Sequence, residues 1–322
     1  MASPNLTELV TTTLRNRRRK LADNVLNHNS LLRKLNQSGN VQNAAGGRTL
    51  VEELEYAENS TFKYYDGYEV LDISPSDVFS AAEYNWKQAA VVVSISGKER
   101  RQNSGREQMI RLLDRRIRNS EKTMMNNLSI GVYSDGTGTT GKQIGGLQLL
   151  VPDDPTTGTV GGINRATFTF WQSVKYGGVA DGGGAVSATN IQNYMNSVWI
   201  QLVRGADRPN MIVADSTYFN FFWQSLQAIQ RIGQANTGDS GFENLMYHGP
   251  GGRAEVMYDD QCPAAHMYFL NSDYFFWRPH SDANMEPLSR REPVNQDAVV
   301  VPLIFMGNLT MSNSSLQGVL IA

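Results

Sequence analysis

The 322-residue sequence predicts an α+β fold. Segments with helical periodicity and segments with strand-like alternation follow one another without a regular βαβ repeat. The chain is longer than one compact core needs, so the expectation is a large domain with excursions or two smaller ones. Twenty-nine glycines predict many turns between the elements.

The N-terminal segment begins with Ser3-Pro4, a cap followed by a residue suited to a first helical turn. Leu6, Val10, Leu14, Leu21 and Val25 then recur at steps of four and seven, which predicts an amphipathic helix. A shorter cluster, Leu31, Leu32 and Leu35, ends at the polar, glycine-rich "NQSGNVQNAAGG". Residues 1–47 therefore read as an arm outside the central core.

Asp66-Gly67 is a turn signal between flanks rich in Tyr, Val and Leu, and predicts a long hairpin. Its flanks lack an apolar face, because Leu50 and Leu54 share a side with Glu52 while Val51 shares one with Glu53 and Glu55. Such a hairpin is expected to project and find its burial on a neighbour. "KQAAVVVSISG" is a strand with Val91, Val93 and Ile95 on one face.

The stretch from Gly105 to Gly131 has Ile110, Leu113, Ile117, Met124 and Leu128 at helical steps, predicting one face packed on the core. It carries six basic and three acidic side chains. Glu107 with Arg111 and Asp114 with Arg118 are spaced for local pairing. The residual charge is too small for a convincing grip on DNA. Further on, a helix is expected from about Thr189 to Val203, then a buried strand, a cap at Asp215 or Ser216, and an aromatic-rich helix. Strands dominate from Arg253 onward.

Net charge is −2, but the charges are segregated. Residues 1–47 carry seven basic and two acidic side chains, residues 48–72 two and seven, and residues 97–122 nine and four. Each block calls for a partner surface of opposite sign. "RNRRRK", Arg15 to Lys20, is the strongest basic cluster and is chemically suited to phosphates, although no aromatic stacking platform accompanies it.

Catalytic and ligand-binding motifs do not assemble. "GDSG" around Ser240 resembles a serine-protease nucleophile, but the upstream histidine is His28 in the basic arm and Phe242 replaces the second downstream glycine. His248, His266 and His280 lack metal-ligand spacing, and Cys262 is the sole cysteine. The loop opening at Asp135 has Thr140 and Gly146 where a calcium loop needs glycine and a bidentate glutamate. "GVADGGG" and "GPGG" lack the Lys-Ser/Thr of a phosphate loop. The expectation is a non-enzyme with no cofactor and no metal. Neither a secretion signal nor a membrane span is read from the sequence.

The order of parts then carries a resemblance. "AAEYNWKQAAVVVSISGKERRQNSGREQMIRLL", "YSDGTGTTGKQIGGL", "SLQAIQRI" with "GFENLMY", "MYFLNSDY" and "VVVPLIFMGNLTMSNSSLQGVL" together span nearly the whole chain. The sequence resembles the major capsid protein family of tailed bacteriophages, which has the Hong Kong 97-type fold. What the resemblance implies is a structural subunit that self-assembles into hexamers and pentamers of an icosahedral phage head around double-stranded DNA. The virion shell is its expected location, with assembly in the host bacterial cytoplasm.

By position the resemblance implies an N-terminal arm at 1–47, an extended β-hairpin loop at 48–95 and a peripheral domain with a spine helix at 96–152. An axial domain follows at 153–265, and 266–322 are C-terminal strands returning to the peripheral domain. Expected partners are other copies of the chain, scaffolding and portal proteins, a decoration protein and nonspecifically held DNA; no membrane is expected. A separate scaffolding protein fits the short segment before the hairpin, and Lys63 alone gives no basis for covalent cross-linking. Since the family's extended loop crosses a neighbour's peripheral domain, Glu52, Glu53, Glu55 and Glu58 are expected to face Arg106, Arg111, Arg115, Arg116 or Arg118 of the next copy. Arg17, Arg18, Arg19 and Lys20 are expected to face DNA. The competing expectation is a nonspecific nucleic-acid-binding protein acting through its basic arm.

Overall fold

The structure, a computed structural model, describes residues 29–102, 106–227, 245–289, 291–292 and 295–322, with the side chains of 100, 102, 106–114 and 227 outside that description. Helix α1, Ser30–Gln37, starts where the Asn29 side chain accepts hydrogen bonds from the Leu31 and Leu32 amides. Strands β1, Leu50–Glu55, and β2, Phe79–Tyr84, pair antiparallel, with Leu50 opposite Tyr84 and Glu55 opposite Phe79. The ladder is short, and residues 56–78 form a loop with no strand in it. Strand β3, Lys87–Ser96, passes through α2, Gly97–Gln102, to the 27-residue helix α3, Arg106–Val132.

A small hairpin of β4, Thr159–Val160, and β5, Ile163–Asn164, supports β2. Gly161 at its turn has φ +61°, accepts a hydrogen bond at its carbonyl from the Glu83 amide at 2.9 Å, and lies where a Cβ would meet Ala82 at 2.8 Å. Glycine answers both the left-handed backbone and the close approach. There follow β6, Val174–Gly177; α4, Ile191–Leu202; β7, Met211–Ala214; and α5, Ser216–Gln227, where Asp215 accepts from the Tyr218 amide at 2.8 Å as the helix cap. The remainder is β8, Leu245–Gly249; β9, Gly252–Tyr258; β10, His266–Leu270; β11, Phe275–Pro287; β12, Ala298–Met311; and β13, Gly318–Ile321.

Two sheets organise these elements. One is six-stranded in the order β6-β13-β10-β7-β9-β8, and the other is three-stranded in the order β11-β12-β3. Alternation along β7 and β10 gives the first sheet two covered faces: Ile212, Ala214, Met267 and Phe269 pack with α4 and α5, while Met211, Val213, Tyr268 and Leu270 join the larger core. That larger core also takes in α1, the C-terminal half of α3, and the aromatic pair Trp277 and Phe305, stacked at 5.5 Å.

Several expectations change. The segment before residue 47 is not wholly outside the core, because Leu31, Leu32 and Leu35 are 0% exposed and belong to its main cluster. Strand β3 lies inside the stretch expected to be extended loop, yet it pairs along its length with β12. The strands after residue 266 divide: β11 and β12 form the three-stranded sheet, whereas β10 and β13 complete the six-stranded one. Non-local pairing decides these placements, and local periodicity carries no information about it.

Candidate functional site

The root of the 56–78 loop is built on the core. Along β1, Leu50, Glu52 and Leu54 point inward and Val51, Glu53 and Glu55 outward. Glu52 meets Arg278 in a two-pronged ion pair, Oε1 to Nε and Oε2 to Nη2 both at 2.8 Å, and Oε1 also accepts from Thr310 Oγ1 at 2.6 Å. The planar guanidinium fork matches the carboxylate, and its third nitrogen donates to Gln42 Oε1 at 2.5 Å. The expectation of Glu52 as an inter-subunit contact is therefore corrected: it is 5% exposed and held within its own chain.

Tyr56 closes the root. Its ring stacks on Phe170 at 5.1 Å, and its hydroxyl donates to the Asp77 carbonyl at 3.0 Å. Beyond it the chain turns outward. Tyr68 is 105% exposed, Ile73 93%, Tyr64 92% and Val70 87%, and Phe62 is covered only in part by its edge contact with Tyr64. The same loop carries Glu58, Asp66, Glu69 and Asp72. Glu53, Glu55 and Glu58 line a cleft of about 420 Å³ at the loop root, together with Tyr274 and Ser312. The loop thus presents large apolar side chains framed by carboxylates, a chemistry suited to a protein surface with basic residues.

Helix α3 supplies the opposite charge. Ile117, Met124, Leu128 and Val132 are buried, as the periodicity predicts, and Arg115 and Arg118 are exposed. Arg116 is corrected: its guanidinium donates to Glu99 and to the Ser94 carbonyl, tying α3 to β3 and α2. The bond from Arg116, with one from the Ser96 amide, holds the Glu99 carboxyl below the usual carboxylate range. Arg106 and Arg111 lie in α3, but their side chains are outside the described residues, as are Arg17, Arg18, Arg19, Lys20, His28 and Ser240.

Asp135 and His266 make local structural contacts. Asp135 accepts from the Thr137 amide and hydroxyl, forming a turn. His266 sits between the Ala264 carbonyl and Asp153, at 2.7 and 2.8 Å. Among the described residues no group of three or more His, Cys, Asp or Glu could hold a metal ion, and no helix is long and apolar enough to cross a membrane.

The model of the family described as SU10 major capsid protein matches residues 87–301, which run from β3 through the long charged helix and into β12. The chain belongs to the SU10 major capsid protein family. Its fold is of the Hong Kong 97 type, as seen in solved phage capsids. A chain of the cyanophage A-1(L) capsid aligns with a TM-score of 0.61 at 14% identity, covering 88% of this chain and 90% of that one. A chain of the empty GTA particle capsid gives 0.55 at 12%, covering 89% and 88%, and one of the Myoviridae phage XM1 capsid 0.52 at 11%, covering 89% and 90%. A comparison with curated proteins found no match.

This major capsid protein is a structural subunit of a phage shell, located in the virion capsid, and its family is one that self-associates. The loop aromatics and Arg278 were missed as site residues by reading the sequence. The run Phe62, Tyr64, Tyr65 and Tyr68, with no alternating partner face, was the available signal for the former. Arg278 gave no signal, since its partner lies 226 positions away.

Proposed function

We propose that the chain builds hexamers and pentamers of an icosahedral head around double-stranded DNA, with the 56–78 loop of each copy docked on the next. The observation that carries this reading is the exposure of Tyr64, Tyr68, Val70 and Ile73 on a loop whose root is fixed. Burying such side chains stabilises by about 1.5–3 kcal/mol each, whereas exposed ion pairs contribute about 0–1 kcal/mol. Apolar contact therefore supplies the affinity, and Glu53, Glu55 and Glu58 register the loop against Arg106, Arg111, Arg115 and Arg118 of a neighbour.

Arg17, Arg18, Arg19 and Lys20 face the packaged DNA in this reading, binding phosphates without sequence preference. Scaffolding and portal proteins act during assembly in the host cytoplasm, a decoration protein binds the finished shell, and the chain itself is not a catalyst. The test is a Tyr64→Ser, Tyr68→Ser double variant. A folded subunit that no longer yields closed particles supports loop docking, and parental yields of normal shells contradict it.

A further inference from the structure

The chain passes between the two sheets from β12 to β13 and, at a joint formed by the buried Asn271 and Ser272, from β10 to β11. That joint is crossed by the segment that follows α1. Asn40 donates its side-chain amide to the Ser272 carbonyl, and Ser38 Oγ lies 3.4 Å from Ser272 Oγ.

On one side of the joint the segment is fastened to the six-stranded sheet. Ser30 donates through its amide and hydroxyl to Asp259, just past the end of β9, at 3.2 and 2.5 Å. The same carboxylate accepts from Tyr133, the residue after α3, at 2.8 Å. Lys34 pairs with Glu255 in β9 at 2.7 Å, with side chains 24% and 14% exposed. On the other side the segment runs along β11 as an added parallel strand. Gln42 and Ala44 donate to the Trp277 and Pro279 carbonyls, while Trp277 and Ser281 donate to the Asn40 and Ala44 carbonyls, all at 3.0 Å.

We propose that residues 29–47 form an intramolecular strap that fixes the angle between the two sheets, and that this angle sets the curvature with which each subunit enters the shell. A hinge fastened on both sides and at its centre cannot open without breaking bonds on one side, so subunit shape is held before neighbours meet. Loosening the strap on the Glu255 side gives each copy a range of angles and the shell a range of radii. The inference rests on the capsid reading.

The test is charge reversal at the latch. Lys34→Glu is compared with the double swap Lys34→Glu, Glu255→Lys, and with Lys34→Met as the variant that removes the charge without creating repulsion. Hydrogen exchange on the folded subunit and particle diameters by electron microscopy are the readouts. Lys34→Glu is expected to speed amide exchange at 42 and 44 at least tenfold and to broaden the diameter distribution. Lys34→Met should do so less, and the double swap should return both readouts to the parental values. Parental diameters in a folded Lys34→Glu protein, or a double swap that folds without restoring them, overturn the strap. Absence of closed particles from the unaltered chain would instead count against the capsid reading.

Discussion

At the scale of single residues, Glu52 and Arg278 show how a charge can be structural. Both carboxylate oxygens and all three guanidinium nitrogens have partners, drawn from β1, β11, β12 and the segment after α1. Removing one partner leaves a buried charge unmatched, so Glu52→Ala should lower unfolding free energy by about 3–5 kcal/mol in a denaturant titration. A cost near zero would mean that the pair is solvated. Glu53→Ala, on an outward position of the same strand, should change stability by less than about 0.5 kcal/mol. The alternation of β1 was legible in the sequence and set Glu52 on the side of Leu50 and Leu54, but the partner that lets a carboxylate turn inward there was not. Periodicity assigns charges to solvent by default, and a partner 226 positions away is invisible to it.

Among the elements, α1, α3 and the 56–78 loop divide the tasks of anchoring, bracing and reaching. Helix α1 has three fully buried leucines, so Leu32→Ala should cost about 2–5 kcal/mol of stability. An arm outside the core would lose almost nothing. Reversing Glu53, Glu55 and Glu58 to Lys should leave the subunit folded while reducing particle yield, measured by sedimentation; unchanged yield would remove these residues from the interface. The link from α3 to α2 has a pH dependence of known sign. Glu99 is held below the usual carboxylate range, so its contribution is present at neutral pH and is lost as pH falls through its lowered value. Acid should therefore lower amide protection around Ser96, measured against the intrinsic exchange rate at each pH, before it lowers protection in the buried strands. The face of α3 could be read from Ile117, Met124 and Leu128 because a long helix repeats its message over several turns. The loop could be read only as far as its Asp66-Gly67 turn, since its exposed aromatics satisfy no pattern internal to the chain.

For the whole molecule, α+β class, capsid family and the spine helix were legible, whereas the sorting of strands between sheets was not. Strands β10 and β13 join β7, and β11 and β12 join β3, through pairings that local composition does not encode. The assembled account places apolar loops on neighbours and a strap between two sheets. It also places a basic arm towards DNA, so replacing Arg17, Arg18 and Arg19 with Gln should reduce retained genome without preventing empty shells, as measured by the ratio of full to empty particles. The most direct test of the central claim is a cryo-electron microscopy reconstruction of particles formed when the chain is expressed with its scaffolding protein. The account predicts closed icosahedral shells in which each 56–78 loop lies on an adjacent copy. Dispersed subunits that form no shell and instead bind DNA in a salt-dependent manner would contradict it.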